Sequence, residues 1–445
     1  MCALRVVAAS RRCHLCGVSS PSTTTPTPRV AKAWRDGFVA VAAAFAVMFA
    51  LAAAGSACAG AGDLPGGAYP RVVAAVVVLA AGGSVDASGG AGSLAGAALD
   101  LSVLPLSVSL AGALTAGCAF LRPLKGRAVA TARELLGRAV PLVVFWLLAL
   151  LGTGVVARQT FALSPGDSLV TDIGELVGSA PTVGFRADLP VTLLGGLLWI
   201  VGLLVVALLV SRRAPLPAAL VRFHTAVRPA AFATLALLLA YVALAGVVGL
   251  VVAVTQGHAE RTLAVLLLGL PNLAWIALTV GLGGAWEGRV EGPFGLPLPH
   301  ALDEVLRGPG RSTVDVSALA ERDSRWWLLV VVAAVLLLGT GVLAAVRSPS
   351  EVRPWRHALH LGLALTLAVL TVCLLAGVRA GFGLSLLGIG DVGGLGGRVE
   401  LTPVLWRTLG PALLWGAVAG YLGALLARPL RHRGPADGAE GPAKS

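Results

Sequence analysis

The sequence predicts an all-α fold, a polytopic helical membrane protein with about eight full transmembrane helices and two re-entrant or discontinuous segments. The 445-residue chain is 57% hydrophobic and 13% charged, and its mean hydropathy is +0.86. Charged residues make up about a quarter of a soluble domain, so this composition excludes one. Apolar runs of about 20 residues, enough to cross a bilayer as a helix, recur along the chain. Basic residues are concentrated in the short loops between these runs.

Ten apolar segments can be identified in chain order. Eight are long and uninterrupted, and two contain a break. Each interrupted run begins directly after an arginine and stops about ten residues later. The first run stops at Gly82 and Gly83, and the second stops at Pro271 and Asn272. This similarity predicts the same re-entrant element twice. The predicted spans are 37–58, 101–121, 139–157, 189–211, 229–254, 326–346, 357–378 and 404–427, and the interrupted segments are 72–85 and 262–285.

Charge predicts how the chain threads the membrane, because short cytoplasmic loops are enriched in Lys and Arg. With eight full spans, the cytoplasmic side carries 22 Lys and Arg against 5 Asp and Glu, and the outer side carries 11 against 17. Ten full spans would place two basic loops outside. We therefore expect a cell-membrane protein with both termini cytoplasmic. The basic segments are the stretch before the first span, 122–138, 212–228, 347–356 and the tail.

The basic balance indicates membrane orientation and no nucleic-acid partner. Cytoplasmic arginine clusters at a bilayer surface attract anionic lipid headgroups, so the expected partners are the lipid bilayer and, at these clusters, such headgroups. Partner proteins are not indicated by any motif.

The order of segments repeats, which predicts two parallel five-segment repeats. Thr192 and Leu193 align with Thr408 and Leu409 near the start of the last span of each half. Chance is the alternative, because Leu and Ala dominate any such alignment. The predicted regions are 1–36 (cytoplasmic and disordered), 37–211 (first repeat), 212–228 (cytoplasmic basic linker), 229–427 (second repeat) and 428–445 (cytoplasmic, basic and disordered tail).

The first 29 residues lack an apolar core long enough for a signal peptide. A valine codon can serve as a bacterial start, so a further hypothesis is that translation begins at Val30.

The breaks supply the candidate interior site, which consists of Gly82, Gly83, Pro271, Asn272 and Trp275. Non-helical backbone at membrane depth is tolerated where it is buried in protein or lines a water-filled cavity. One interpretation is therefore a solute or lipid site. The other is a packed core in which Asn272 caps a half-helix, since polar residues commonly join transmembrane helices.

No catalytic, metal or cofactor constellation is indicated, so the prediction is a protein that is not an enzyme. Ionisable residues are absent from the centres of the predicted spans, which argues against ion-coupled transport. The favoured function is a non-ion-coupled permease or a lipid-handling protein. The alternative is a structural or partner-binding envelope protein. A membrane enzyme ranks third, because only the outer loops 158–188 and 286–325 carry clustered acids, and such charges usually keep a loop solvated.

Five blocks of the sequence share a pattern with known membrane proteins, namely Gly82 to Val85, Leu104 to Leu114, Thr192 to Gly196, Ser211 to Pro217 and Leu267 to Asn272. Together they resemble segments of the streptophobe family of actinobacterial membrane proteins. The resemblance extends from about Trp34 to Arg428. It implies a multi-pass membrane location and carries no functional residues, since that family has no known activity.

Overall fold

The computed structural model describes residues 27–64, 67–91, 95–122, 132–162, 182–211, 218–255, 257, 259–291, 312–349, 352–386, 389–391 and 397–431. Within these ranges the protein is a helical bundle with eight helices long and apolar enough to cross a membrane, as predicted. The helices are α1 (Thr27–Cys58), α2 (Tyr69–Ala80), α3 (Leu106–Leu121), α4 (Ala132–Val156), α5 (Leu189–Val210), α6 (Ala218–Thr255), α7 (Ala259–Gly281), α8 (Val316–Ala320), α9 (Leu328–Val346), α10 (Pro354–Ala376), α11 (Leu405–Leu426) and α12 (Arg428–Arg431).

The eight long helices are not the eight predicted spans. The segment predicted at 101–121 contains only the 16-residue helix α3, because its first residues belong to a strand and Pro105 stands at the helix N-cap. The segment 262–285, predicted to be interrupted, contains instead the 23-residue helix α7, which continues through Pro271. The other interrupted segment is the short helix α2, 12 residues long.

Three helices extend into regions that were predicted to be disordered or a linker. α1 includes residues 27–36, α6 includes residues 218–228 and α12 begins the tail, so these parts of the predicted disordered ends and linker are helical. Residues 1–26, 212–217 and 432–445 lie outside the described residues.

The segments that connect the long helices form one antiparallel sheet at one end of the bundle. Its strands are β1 (Ser84–Ala91), β2 (Ala95–Ser102), β3 (Arg158–Ala162), β4 (Thr182–Asp188), β5 (Trp286–Glu291), β6 (Ser312–Val314), β7 (Val378–Leu386), β8 (Ile389–Asp391) and β9 (Gly397–Pro403). Their order in the sheet is β3-β4-β1-β2-β7-β9-β5-β6, with β8 beside β7. Strands β3 to β6 lie within the outer loops predicted at 158–188 and 286–325.

The sheet has the same strand order in each half of the chain. The first half contributes β3-β4-β1-β2 and the second contributes β7-β9-β5-β6, joined where β2 pairs with β7. The connections also correspond: β1 follows α2 as β5 follows α7, while β3 and β4 separate α4 from α5 as β7 and β9 separate α10 from α11. This order favours the parallel repeat, although the duplication itself stays a prediction.

The sheet defines one end of the bundle, and the helix ends that flank the basic segments lie at the other. α4 and α10 end next to sheet strands, whereas α5, α9 and α11 begin on that side. At the opposite end, Asp36 of α1, Phe120 of α3 and Arg138 of α4 line one small cavity of about 20 Å³. There too, the Arg347 guanidinium that follows α9 lies 3.8 Å from the centre of the Phe232 ring on α6.

This connectivity limits how often the chain passes through the bundle. α1 begins at the basic end and α3 begins at the sheet end, so α1 and α2 together make one passage. The Tyr69 hydroxyl at the start of α2 donates to the Ala53 carbonyl near the end of α1, as in an antiparallel hairpin. α6 and α7 likewise make one passage between α5 and α9. The described helices therefore make eight passages through the bundle, and the re-entrant character of α2 and α7 stays a prediction.

Candidate functional site

Asn272 lies at the contact between α7 and the first residues of α3. Its side chain is only 7% exposed. The amide Nδ2 donates to the Leu104 carbonyl at 3.1 Å, and the Leu106 N–H donates to Oδ1 at 3.3 Å. Pro105 at the N-cap of α3 offers no side-chain cap, so Asn272 satisfies an unpaired backbone group of that helix from the other half of the chain. The amide is thus committed to backbone partners.

Ser107 bonds to the backbone of α7 directly before Pro271. Its hydroxyl donates to the Leu266 carbonyl at 2.9 Å and accepts from the Leu270 N–H at 3.0 Å. These two groups would normally bond to each other, so the hydroxyl is inserted into the helix ladder one residue before the proline. We call Ser107, Asn272 and their backbone partners the α3–α7 lock.

Trp275 lies one turn beyond Asn272 and faces α6. Its indole N–H donates to the Leu238 carbonyl at 3.2 Å, and the side chain is 9% exposed. It packs in a core cluster with Val372 and Ala376 from the end of α10.

Gly82 and Gly83 form the turn between α2 and β1. Gly82 has φ of +84°, a conformation that favours glycine. Its N–H donates to the Leu79 carbonyl and that of Gly83 to the Val78 carbonyl, closing the helix end. The turn packs against Gly195 and Thr192 on α5, with no room for a Cβ at Gly83.

The five predicted site residues therefore divide into separate locations. Asn272 contacts the start of α3, Trp275 contacts α6, and the two glycines contact α5, whereas Pro271 is buried within α7. All serve helix packing or helix termination in this arrangement.

A groove that the sequence did not predict lies between α1, α2 and α4. Its volume is about 670 Å³, within the range of about 300–1,000 Å³ usual for small-molecule sites. Phe45, Val73, Ala74 and Thr153 are buried, whereas Pro70, Gly152 and Val156 are exposed. The lining residues are Phe45, Phe49, Ala53, Tyr69, Pro70, Val73, Ala74, Ala149, Gly152, Thr153 and Val156.

The groove presents almost no polar chemistry. Its two hydroxyls are already engaged, since Tyr69 donates to the Ala53 carbonyl at 2.7 Å and Thr153 donates to the Ala149 carbonyl at 2.8 Å. The described lining residues carry no charge. Beside the groove, Leu148 on α4 is 57% exposed, so the open side continues into an apolar outer surface of the bundle.

The best-defined charged contact joins the sheet end to α11. The Asp315 carboxylate caps α8 by accepting from the Ala318 N–H at 2.9 Å, and it also accepts from the Ser317 hydroxyl at 2.6 Å. Arg407 donates to its other oxygen at 3.2 Å. Burial acts to raise the pKa of Asp315, but these hydrogen bonds and the arginine charge outweigh it and lower the pKa below the usual 3.8. Asp315 thus does more than keep its loop solvated.

Asp315→Asn is expected to lower stability by on the order of 1 kcal/mol at neutral pH, because the exchange removes the charge-assisted contact. A lowered pKa in the folded state contributes stability above the unfolded value that is lost as pH falls through the folded value. The difference in melting temperature between wild type and variant should therefore shrink below about pH 4. Thermal unfolding in detergent from pH 7 to 3 checks this, with Glu321→Gln, an exposed acid beside α8, as the control. A difference that stays constant with pH would contradict the assignment.

Among the described residues, no three His, Cys, Asp or Glu side chains converge as a metal site. No protein-family model, curated protein or solved structure matches the chain. The groove and the Asp315 contact are therefore the features from which a function can be argued.

Proposed function

We propose that this multi-pass membrane protein handles lipid, holding a hydrocarbon chain in the groove between α1, α2 and α4. The observation that carries the proposal is the groove itself, with about 670 Å³ of apolar space. A hydrocarbon chain in the bilayer can enter from the side, because the exposed rim is formed by Pro70, Gly152 and Val156.

The lining favours a lipid chain over a polar solute. A polar solute would leave its hydrogen-bonding groups unpaired in an apolar site, which costs free energy. The hydroxyl protons of Tyr69 and Thr153 are engaged by the carbonyls of Ala53 and Ala149, so neither side chain is free to donate to a solute. The Asn272 amide, the polar group expected in a permease path, is occupied by backbone partners. We therefore favour lipid handling over permeation. We also propose that the protein is not an enzyme.

We further propose that the sheet lies outside the cell membrane and that both termini are cytoplasmic. The flanking helix ends support this, because the basic segments all adjoin the bundle end away from the sheet. Short basic loops are retained on the cytoplasmic side. Arginines there, such as Arg138 and Arg347, would meet anionic headgroups. The sequence resemblance to the streptophobe family is compatible with this arrangement and stays a proposal.

The alternative is a structural or partner-binding envelope protein, and the sheet is the observation in its favour. Strands from both halves form one continuous surface that ends at β3 and β6. An edge strand presents unpaired backbone groups to which another chain can add. This function requires no occupant in the groove.

Photo-cross-linking tests lipid handling. Cells are fed a fatty acid that carries a photoactivatable group and an alkyne tag, so that it enters membrane lipids. After irradiation, the purified protein is digested and the lipid adducts are mapped by mass spectrometry. We expect adducts to concentrate on the peptides that contain Phe49, Val73 and Val156. The control is the apolar surface of α5, where Leu198 is 66% exposed and lies away from the groove. Equal yields at the groove and at Leu198 would contradict the proposal.

A further inference from the structure

The α1–α2 hairpin of the first half and the α6–α7 hairpin of the second half end in turns of the same geometry. Gly283 has φ of +90° where Gly82 has +84°. The Gly284 N–H donates to the Thr279 carbonyl at 2.8 Å, as that of Gly83 donates to the Val78 carbonyl at 2.9 Å. In each half, a threonine near the start of a later helix, α5 or α11, then bonds to the residue that follows the turn. Thr192 bonds to the Ser84 carbonyl at 3.5 Å, and Thr408 bonds to the Ala285 carbonyl at 3.3 Å.

These equivalences correct the repeat register that the sequence suggested. The partner of Gly82 and Gly83 is Gly283 with Gly284, and the Pro271 position corresponds to Pro70 at the start of α2. In the same register, Ala74 corresponds to Trp275. Burial agrees: Val73 and Ala74 are buried in α2, as are Ala274 and Trp275 in α7.

The neighbouring helices agree independently. Arg35 and Arg228 stand before the corresponding apolar stretches of α1 and α6, and this register pairs Ala53 with Gly246. The start of α2 touches Ala53 through the Tyr69 hydroxyl. At the equivalent place in the second half, a Cβ at Gly246 would lie 3.5 Å from the Leu270 side chain.

Among the described residues of the second half, Trp275 occupies the place that corresponds to the open groove. The groove residues Phe45 and Phe49 correspond to Leu238 and Val242, and Gly152 and Val156 correspond to Val372 and Ala376. All four counterparts pack in one cluster with Trp275. The indole N–H bonds to the carbonyl of Leu238, the counterpart of Phe45.

We propose that Ala74 and Trp275 determine which half binds a lipid, so that the protein holds one hydrocarbon chain in the first half. Alanine at position 74 leaves the groove open. Tryptophan at position 275 occupies the equivalent place as a built-in plug. This inference rests on the proposed lipid handling and identifies the ligand as a single apolar chain, because the lining side chains offer no free hydrogen-bond donor for the acceptor oxygens of a headgroup.

The test uses the same photoactivatable membrane lipids with four variants of the full chain. Ala74→Trp should reduce adducts in the groove by about tenfold, since several methylene groups of the chain lose their buried contacts. Val72→Trp is the matched control, because it adds the same side chain to α2 at a position that does not line the groove. Trp275→Ala should create new adducts on peptides containing Leu238, Val242 and Val372, whereas Trp275→Phe, which keeps a ring in place, should not.

The outcomes separate the inference from the function on which it rests. Loss of adducts in Ala74→Trp together with new adducts in Trp275→Ala supports the proposal. If adducts are enriched at the groove in wild type and Ala74→Trp does not reduce them, the inference alone is overturned. Loss in Ala74→Trp without any gain in Trp275→Ala overturns the plug role of Trp275. No enrichment in wild type, or cross-links from the groove to another protein, overturns lipid handling and the inference together.

Discussion

Gly423→Val is expected to destabilise the bundle severely, by on the order of 3 kcal/mol or more. A Cβ at Gly423 would overlap the backbone of Gly341 and Val342 on α9. The contact is reciprocal, since a Cβ at Gly341 would overlap the Ala419 carbonyl on α11. Backbone cannot move aside as a flexible side chain can, so the two helices would have to separate. Small residues at such crossings are what allow close packing between membrane helices.

The measurement is the apparent melting temperature in mild detergent, followed by the fraction of protein that remains monodisperse after heating. Gly339→Val is the matched control, because Gly339 lies on the partner helix α9 and a Cβ there would meet nothing within 4 Å. It carries the same loss of backbone freedom and the same β-branched side chain. Equal melting temperatures for the two valine variants would show that the α9–α11 crossing is looser than described.

Asn272→Leu is expected to have the second largest effect. Leucine fills a similar volume but leaves the Leu106 N–H and the Leu104 carbonyl without the partner that they have in the lock. An unsatisfied buried backbone group costs roughly 1–3 kcal/mol. The loss should appear as a lower melting temperature. Trp275→Phe is the comparison, since it removes one hydrogen bond from the same helix.

Ser107→Ala tests whether the lock acts as a unit. Its hydroxyl serves the Leu266 carbonyl and the Leu270 N–H, next to the groups that Asn272 serves. Residues in one network show coupling, so the double variant should lose less stability than the sum of the single variants. Strict additivity would mean that Ser107 and Asn272 act independently.

The membrane-helix class followed from the sequence because apolar runs of about 20 residues leave few other folds. The sheet did not follow. Strands β1 and β2 read SVDASGGA and AGAALDLS, in which small residues obscure the alternation of apolar and polar positions that marks a strand. Their pairing depends on distant segments, since β2 lies beside β7 nearly 300 residues away. Local pattern therefore indicated loops.

Pro271 shows a second limit of local pattern. A proline in a helix interior normally breaks or kinks it, so a break was the reasonable expectation. The helix is nevertheless continuous, and Ser107 and Asn272 join it to α3 across more than 150 residues of sequence. Such long-range contacts are not visible in a local pattern.

The candidate site was also beyond local pattern. Ala74 is one alanine among many in the sequence, and its significance arises only when three helices surround it. Asn272 stands out in the sequence as a polar residue within an apolar segment. Its amide bonds to backbone groups at the start of α3 and caps no half-helix within α7, because α7 is continuous there.

The threading of the chain underlies the whole account, because the orientation of the groove and the sheet depends on it. Cysteine labelling from outside intact cells, in a cysteine-free background, tests it most directly at Ala130, Ala219, Ser317 and Ser350. Ser317 is exposed on α8 at the sheet end, and the other three belong to segments predicted to be cytoplasmic. We expect labelling at Ser317 alone. Labelling at Ala130 and Ala219 would contradict the account, since α2 and α7 would then cross the membrane completely.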